Sequence, residues 1–312
     1  GSAKGRAIYV INADTGDILR SFPTTRSVAS DVALVDVNND GFVDYGYALD
    51  TGGNAYRIHF VVGPGTLGLL TAANWKSRRV AYTNGGNRKF LFQPGVFPTA
   101  NSVYVAMVSG DRERPLIENY PYTTPVLNRA YVYKDDLTAS TGDVDMDSPT
   151  LIDSTTTATC TSTSLVSDSS KKGWFFNLNE NGVGEQGVTS ALIAAGLVTF
   201  STNRPIPTSA QSCSGALGEA RGYLVNLFNG SGAIAATGGN TCGGRRSSVF
   251  PGGGLPPSPV IGVVPVDGIP TAVLIGAPDP TGATTATIGV TKVTPKISNA
   301  RTRTYKSTNT DQ

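Results

Sequence analysis

Gly5-Arg-Ala-Ile-Tyr-Val-Ile-Asn-Ala-Asp-Thr-Gly16 alternates its side chains over a short run, passes through Asn and Asp, and closes on Thr-Gly. Side chains alternating at period two face opposite sides of a strand, and a closing glycine supplies the positive φ of a tight turn. The plan recurs along the chain. Arg221-Gly-Tyr-Leu-Val-Asn-Leu-Phe-Asn-Gly-Ser-Gly232 repeats it, Gly173-Trp-Phe-Phe-Asn-Leu-Asn-Glu-Asn-Gly182 is a third version, and Gly52-Gly-Asn-Ala-Tyr-Arg-Ile-His-Phe60 a looser fourth. A strand–turn–strand unit returning every ~40–60 residues marks propeller blades. The uneven intervals predict an all-β fold, a modified β-propeller with unequal blades and loop insertions. A pair of β-sandwiches is the alternative that the same strands could build.

Composition points the same way. The 312 residues include 37 Gly and 19 Pro with only 15% charged side chains, which suits many short strands with turn punctuation in one domain spanning 1–312. Further strands are expected at 103–109, 130–134, 196–202, 260–264 and 271–276, and one short helix at 188–195. The Ser-, Thr- and Asp-rich stretch 139–170 reads as an exposed insertion, and 251–259 as a Gly/Pro connector. The net charge of +2 has no block of one sign. Lys292, Lys296, Arg301, Arg303 and Lys306 lack interleaved aromatics, so they read as a solvated tail with no nucleic-acid partner. No apolar run is long enough for a membrane span. The chain opens inside a strand, which suggests a processed or excised piece of a longer protein whose N-terminal region is absent.

The cysteines Cys160, Cys213 and Cys242 form no C-x-x-C pair. Cys213 with Cys242 is the nearer disulfide pairing and Cys160 with Cys213 the competitor. Either would staple Gly- and Ser-rich loops in an oxidising compartment.

The strongest chemical signal is Asp36-Val-Asn-Asn-Asp-Gly-Phe-Val-Asp44. Calcium takes six to eight hard oxygen ligands, and a loop supplies them from alternate positions. Asp36, Asn38 and Asp40 fill positions one, three and five, Gly41 permits the reversal at six, Phe42 offers its carbonyl at seven and Asp44 its carboxylate at nine. Tyr47 stands where an EF-hand carries its closing glutamate, so this is an EF-hand-like Ca2+ loop set in a β-hairpin. An ordinary Asn/Asp/Gly turn is the competing reading. Asp143-Val-Asp-Met-Asp147 also alternates acids, but it lacks the glycine and reads as a solvated acidic loop rather than a second metal site.

No catalytic constellation stands out. His59 is the only histidine, and neither a nucleophile elbow nor a P-loop occurs. A quinoprotein-like or carbohydrate-active propeller enzyme is the alternative class. A quinoprotein would be expected to carry many blade-locking tryptophans, and only Trp75 and Trp174 are present.

Several blocks resemble, in order, the PilY/PilC-type tip-associated factors of type IV pili. They are the 5–16 run, the Asp36–Asp44 loop, Tyr47-Ala-Leu-Asp-Thr-Gly-Gly-Asn-Ala-Tyr-Arg57, Val108-Ser-Gly-Asp-Arg-Glu-Arg-Pro-Leu116 and Asn128-Arg-Ala-Tyr-Val-Tyr-Lys-Asp-Asp136. Lys172-Gly-Trp-Phe-Phe-Asn-Leu178 with Gly184-Glu185, then Phe200-Ser-Thr-Asn-Arg-Pro205 and Cys213, continue the series. The resemblance implies a non-enzymatic C-terminal propeller with calcium on the loop, acting in pilus biogenesis through the balance of extension and retraction, and in adhesion. It implies minor pilins and the pilus tip as partners, a host-cell or abiotic surface as target, and an extracellular place at the pilus tip or outer surface of a Gram-negative bacterium. A structural scaffold docking minor pilins is a further alternative. No Arg-Gly-Asp tripeptide occurs.

Overall fold

The computed structural model describes residues 4–64, 68–112, 126–156, 163–206, 217–235, 243–266, 268–281 and 289–292. Among these the chain builds five separate β-sheets, none closed on itself, and one 3-10 turn at Ala72–Asn74. In the first sheet β1 (Ala7–Ile11) pairs antiparallel with β2 (Ile18–Pro23). The second is a meander of β3 (Ala33–Val35), β4 (Tyr45–Leu49), β5 (Asn54–His59) and β6 (Lys76–Tyr82). The third runs β7 (Gly95–Thr99), β8 (Ser102–Val108) and β9 (Arg129–Asp136).

Two short strands then interlock these sheets. β10 (Val144–Asp145) lies parallel to β6 at the edge of sheet two, and β11 (Ile152–Asp153) lies parallel to β12 (Gly173–Asn177), which itself pairs with β9 in sheet three. The fourth sheet holds β13 (Gln186–Gly187), β14 (Leu192–Ala194), β15 (Leu197–Arg204), β16 (Glu219–Asn226) and β17 (Ser247–Phe250). The fifth is β18 (Val260–Val266), β19 (Ile269–Ala277) and β20 (Gly289–Lys292).

The cores lie between sheets. Tyr47, Leu49, Val80, Val105, Met107 and Tyr131 belong to one cluster joining sheets two and three, while Trp174, Phe176, Phe200 and Tyr223 belong to another joining three and four. β4 is buried at every position, so its Tyr-Gly-Tyr-Ala-Leu run needs no polar face. Trp174 is fully buried and donates its indole N–H to the Leu227 carbonyl at 2.7 Å, with its ring stacked on Phe176 at 5.7 Å. Each such aromatic pair adds ~0.5–1.5 kcal/mol beyond its buried area. Gly230, at φ 68°, allows this, because a Cβ there would stand 2.9 Å from the indole. A second tie between sheets two and three is the buried Arg57–Asp135 pair at 2.9 Å, to which Tyr47 adds a hydroxyl donated at 2.7 Å.

The repeat read from sequence recurs atom by atom in two places. Asn12 N–H donates to the Asp17 carbonyl and Gly16 N–H to the Asn12 carbonyl, both at 2.8 Å. Asn226 N–H donates to Ser231 and Gly230 N–H to Asn226 in the same frame, at 2.9 and 3.0 Å. Both asparagines also accept from the N–H two residues on, at Asp14 and Phe228.

Two expectations change. No helix forms at 188–195; Leu192–Ala194 is instead a strand paired with β15, because its apolar residues meet the neighbouring sheet. The described part of 139–170 is more than an exposed insertion. It contributes β10 and β11 and buries Met146, Leu151 and Leu165 completely or nearly so. Three apolar anchors suffice to dock a segment whose composition is otherwise that of a loop.

Candidate metal centre

The loop 36–44 connects β3 to β4 at one end of sheet two. Val35 pairs with Tyr45, and Asp44 N–H donates to the Val35 carbonyl at 3.0 Å, which closes the hairpin base. The Asp44 carbonyl accepts from Phe60 N–H at 2.9 Å and anchors the loop's exit to the strand beyond.

Within the loop the polar side chains wind onto the backbone. Asp36 Oδ1 accepts from Asn39 N–H at 2.7 Å and its Oδ2 from Gly41 N–H at 2.8 Å. Asn38 Oδ1 accepts from Asp40 N–H, and Asp40 Oδ1 from Phe42 N–H, both at 2.9 Å. Asp44 Oδ2 accepts from Val37 N–H at 2.7 Å. The winding requires left-handed backbone at Asn39 (φ 60°) and Gly41 (φ 94°), residue types that tolerate it.

Asp44 is 2% exposed, whereas Asp40 is exposed and Asp36 and Asn38 are partly so. Burial pushes the Asp44 carboxyl above the usual carboxylate range; the N–H groups of Val37 and Asn38 oppose the rise, and the charges of Asp36 and Asp40 add to it.

Among the described residues no group of three or more His, Cys, Asp or Glu side chains converges as a metal cluster. The three acids of the loop close on their own backbone N–H groups. The donor set nevertheless fits a hard cation. An ionised carboxylate has about four lone-pair sites, so the two N–H groups that each acid accepts leave acceptor capacity in all three. A positive charge among them would also reverse the electrostatic penalty on Asp44. The Phe42 side chain, 58% exposed, borders an apolar groove of about 250 Å3 with Leu34, Phe60, Leu69 and Trp75.

The other acidic stretch has a different fate. Asp143 pairs with Arg79 at 2.6 Å, and Asp147 bridges Arg88 at 2.8 Å and Arg129 at 2.7 Å while accepting the Tyr131 hydroxyl at 2.8 Å. Asp145 accepts from the Asn84 side chain at 3.1 Å. Arginines and hydrogen-bond donors hold these acids, so the stretch is neither a solvated loop nor an open cation site.

His59 sits in β5, half-buried, with its Nε2 accepting from Arg57 Nε at 3.1 Å and its ring edge-on to Tyr45. Burial first, then Arg57, Arg78 and Lys76, hold its imidazole down at about 4. It is a neutral acceptor inside a sheet near pH 7. Cys160, Cys213 and Cys242 lie outside the described residues, as do Lys296, Arg301, Arg303 and Lys306.

Sequence reasoning passed over Asp50. It is fully buried at the β4–β5 turn and accepts from the N–H groups of Arg26, Gly52 and Asn54, from the Asn54 amide and from the Tyr56 hydroxyl. An acid directly before Thr-Gly-Gly-Asn was the available signal.

No family model and no curated protein matches the chain. Among solved structures, the crystal structure of the Pseudomonas aeruginosa PilY1 C-terminal domain is similar, with a TM-score of 0.60 and 15% identity over 92% of this chain. The match spans 66% of that domain's own length, and at this identity the likeness is one of fold. No helix among the described residues is long and apolar enough to cross a membrane. The chain is all-β, many-sheeted, and built on the plan of that domain.

Proposed function

We propose that this chain is the calcium-binding domain of a type IV pilus tip-associated surface protein, acting in pilus biogenesis and attachment and not in catalysis. The observation that carries the reading is the fold likeness to the PilY1 C-terminal domain in a chain that also holds a self-wound oxygen-donor loop at a sheet corner. The five sheets are then blades of a modified, open propeller, each a largely antiparallel set of neighbouring strands.

Side-chain oxygens of Asp36, Asn38, Asp40 and Asp44 and the Phe42 carbonyl would hold Ca2+, with water completing the shell. The ion supplies a fixed positive charge that locks the hairpin corner. Locking the corner sets Phe42 and hence the mouth of the apolar groove beside it, an exposed surface of the kind that docks partners. Minor pilins at the tip, and a host-cell or abiotic surface, are the partners this extracellular role implies. Calcium-dependent stiffening of the corner would bias pilus extension against retraction.

Calorimetric titration with calcium tests the site: the native chain takes up the ion and Asp44→Ala does not. Equal heats in both remove the metal assignment. Twitching motility and piliation of cells carrying Asp44→Ala in the complete protein test the biogenesis role, and unchanged motility would sink it.

A further inference from the structure

A larger concavity, about 570 Å3, opens at the other end of sheet two, beside the β4–β5 turn. β4 is five residues long at ~3.3 Å per residue, so the Asp36–Asp44 loop lies ~17 Å away. The walls come from the segment after β2, from the turn itself and from the segment after β6.

Among the described residues four cations line it, Arg26, Arg79, Arg88 and Lys89, and no carboxylate does. Three are held from outside the cavity: Arg79 by Asp143, Arg88 by Asp147 and Lys89 by Asp111, at 2.6, 2.8 and 2.9 Å. Arg88 is 6% exposed and also donates Nε to the Leu127 carbonyl at 2.8 Å, so its position is fixed while Nη2 has no hydrogen bond among the described residues. Arg26 forms no ion pair there either, and its side chain crosses the turn so closely that a Cβ at Gly52 would meet its Cγ at 2.4 Å. Beneath them Asp50 pins Arg26 N–H and Gly52 N–H with oxygens that do not line the cavity.

The rest of the described lining is hydroxyl, amide and glycine, including Thr51, Thr83 and Asn87, with no apolar or aromatic side chain among the described residues. Fixed guanidiniums with unused donors are the preferred partners of a carboxylate. The volume lies within the ~300–1,000 Å3 of small-molecule sites and exceeds the need of a bare inorganic anion. Among the described residues a peptide's apolar side chain finds nothing to pack on, and a neutral sugar finds no ring to stack against. A hydroxyl-rich ligand bearing one acid group matches both parts of the wall.

We propose that this concavity binds a carboxylated saccharide, with Arg26 and Arg88 Nη2 on the carboxylate and Thr51, Thr83 and Asn87 on ring hydroxyls. The site is separate from the calcium loop and does not rest on the pilus reading.

Calorimetry on the whole chain with two carboxylated probes, trigalacturonate and 3′-sialyllactose, separates a uronate from a sialate source. At least one binds, and its neutral counterpart (the methyl ester or lactose) binds about tenfold or more weakly. Arg26→Ala weakens binding about tenfold with the unfolding midpoint unchanged, because Arg26 is exposed, and Arg26→Lys restores part of the loss. Calcium chelation leaves binding intact. The proposal falls if neither acidic sugar binds, if the neutral probes bind equally, or if Arg26→Ala is silent. It also falls if chelation abolishes binding, if equimolar inorganic phosphate displaces the sugar, or if hexaglutamate binds as tightly.

Discussion

The loop 36–44 sets Asp36, Asn38 and Asp40 at alternate positions with Asp44 beyond, the stretch 143–147 sets Asp143, Asp145 and Asp147 at every second one, and the fold answers them with different counter-groups. The loop hangs between two strands that bring it no cation, so Asp36, Asp40 and Asp44 turn to backbone N–H groups. The second stretch lies along β6 and the segment after it, where Arg79 and Arg88 stand, with Arg129 arriving from β9. Alternation of acids therefore specifies only that several oxygens face one way. Whether backbone N–H groups or arginines meet them is decided by what the neighbouring strands carry.

The contrast is sharpest at Asp147. One carboxylate serves two arginines and a tyrosine, and Asp147→Ala leaves the nearly buried Arg88 without its charge partner. Urea unfolding should show a loss of about 3–5 kcal/mol, the same with and without calcium. A calcium-dependent loss would make this stretch a metal site after all.

Asp44→Ala should cost about 1–3 kcal/mol in chelator, since the Val37 N–H loses its acceptor. In addition, calcium at a hundred times its dissociation constant should stabilise the native chain by about 2.7 kcal/mol and the variant not at all. If calcium leaves the native melting temperature unmoved, the two regions are electrostatically alike and the contrast dissolves.

A pH series gives a smaller signal beside the loop. The His59 imidazole titrates near 4 in the fold against 6.5 when unfolded, so the unfolded chain binds the extra proton between these values. Stability from this residue is complete above pH 6.5 and is lost as pH falls through about 4. His59→Gln should flatten that part of the curve in thermal melts, and an unchanged slope would show that His59 does not carry it. Least of all, Asp143→Asn breaks an ion pair whose two side chains are 38% and 30% exposed, and should shift stability by no more than about 0.5 kcal/mol.

The strand–turn repeat was legible because it is local: an alternating run, an Asn and a glycine a few residues apart write the hydrogen-bond frame shared by Asn12 and Asn226. The position of the oxygen loop was legible for the same reason. Asp143, Asp145 and Asp147 were misread because their partners, Arg79, Asn84 and Arg88, lie roughly sixty residues earlier, and Arg129 about twenty earlier, and no periodicity links them. The strand at Leu192–Ala194 resembled a helix because a short apolar run looks alike in both, and only the neighbouring β15 decides. The cationic cavity was equally hidden, since its walls come from three segments that meet only when β4, β5 and β6 pair.

The parallel stitch of β10 on β6 also dictates an order of assembly. Ala81 finds its partner Val144 only after the chain has run through β7, β8 and β9. A chain emerging from its N-terminus therefore holds β6 with an open hydrogen-bonding edge until sheet three exists, and such edges recruit other chains. A fragment ending at residue 112 would carry sheet two with that edge bare and should aggregate where the whole chain stays monodisperse. The stitch thus ties the closing of sheet two's edge to the completion of sheet three, with which it shares a core.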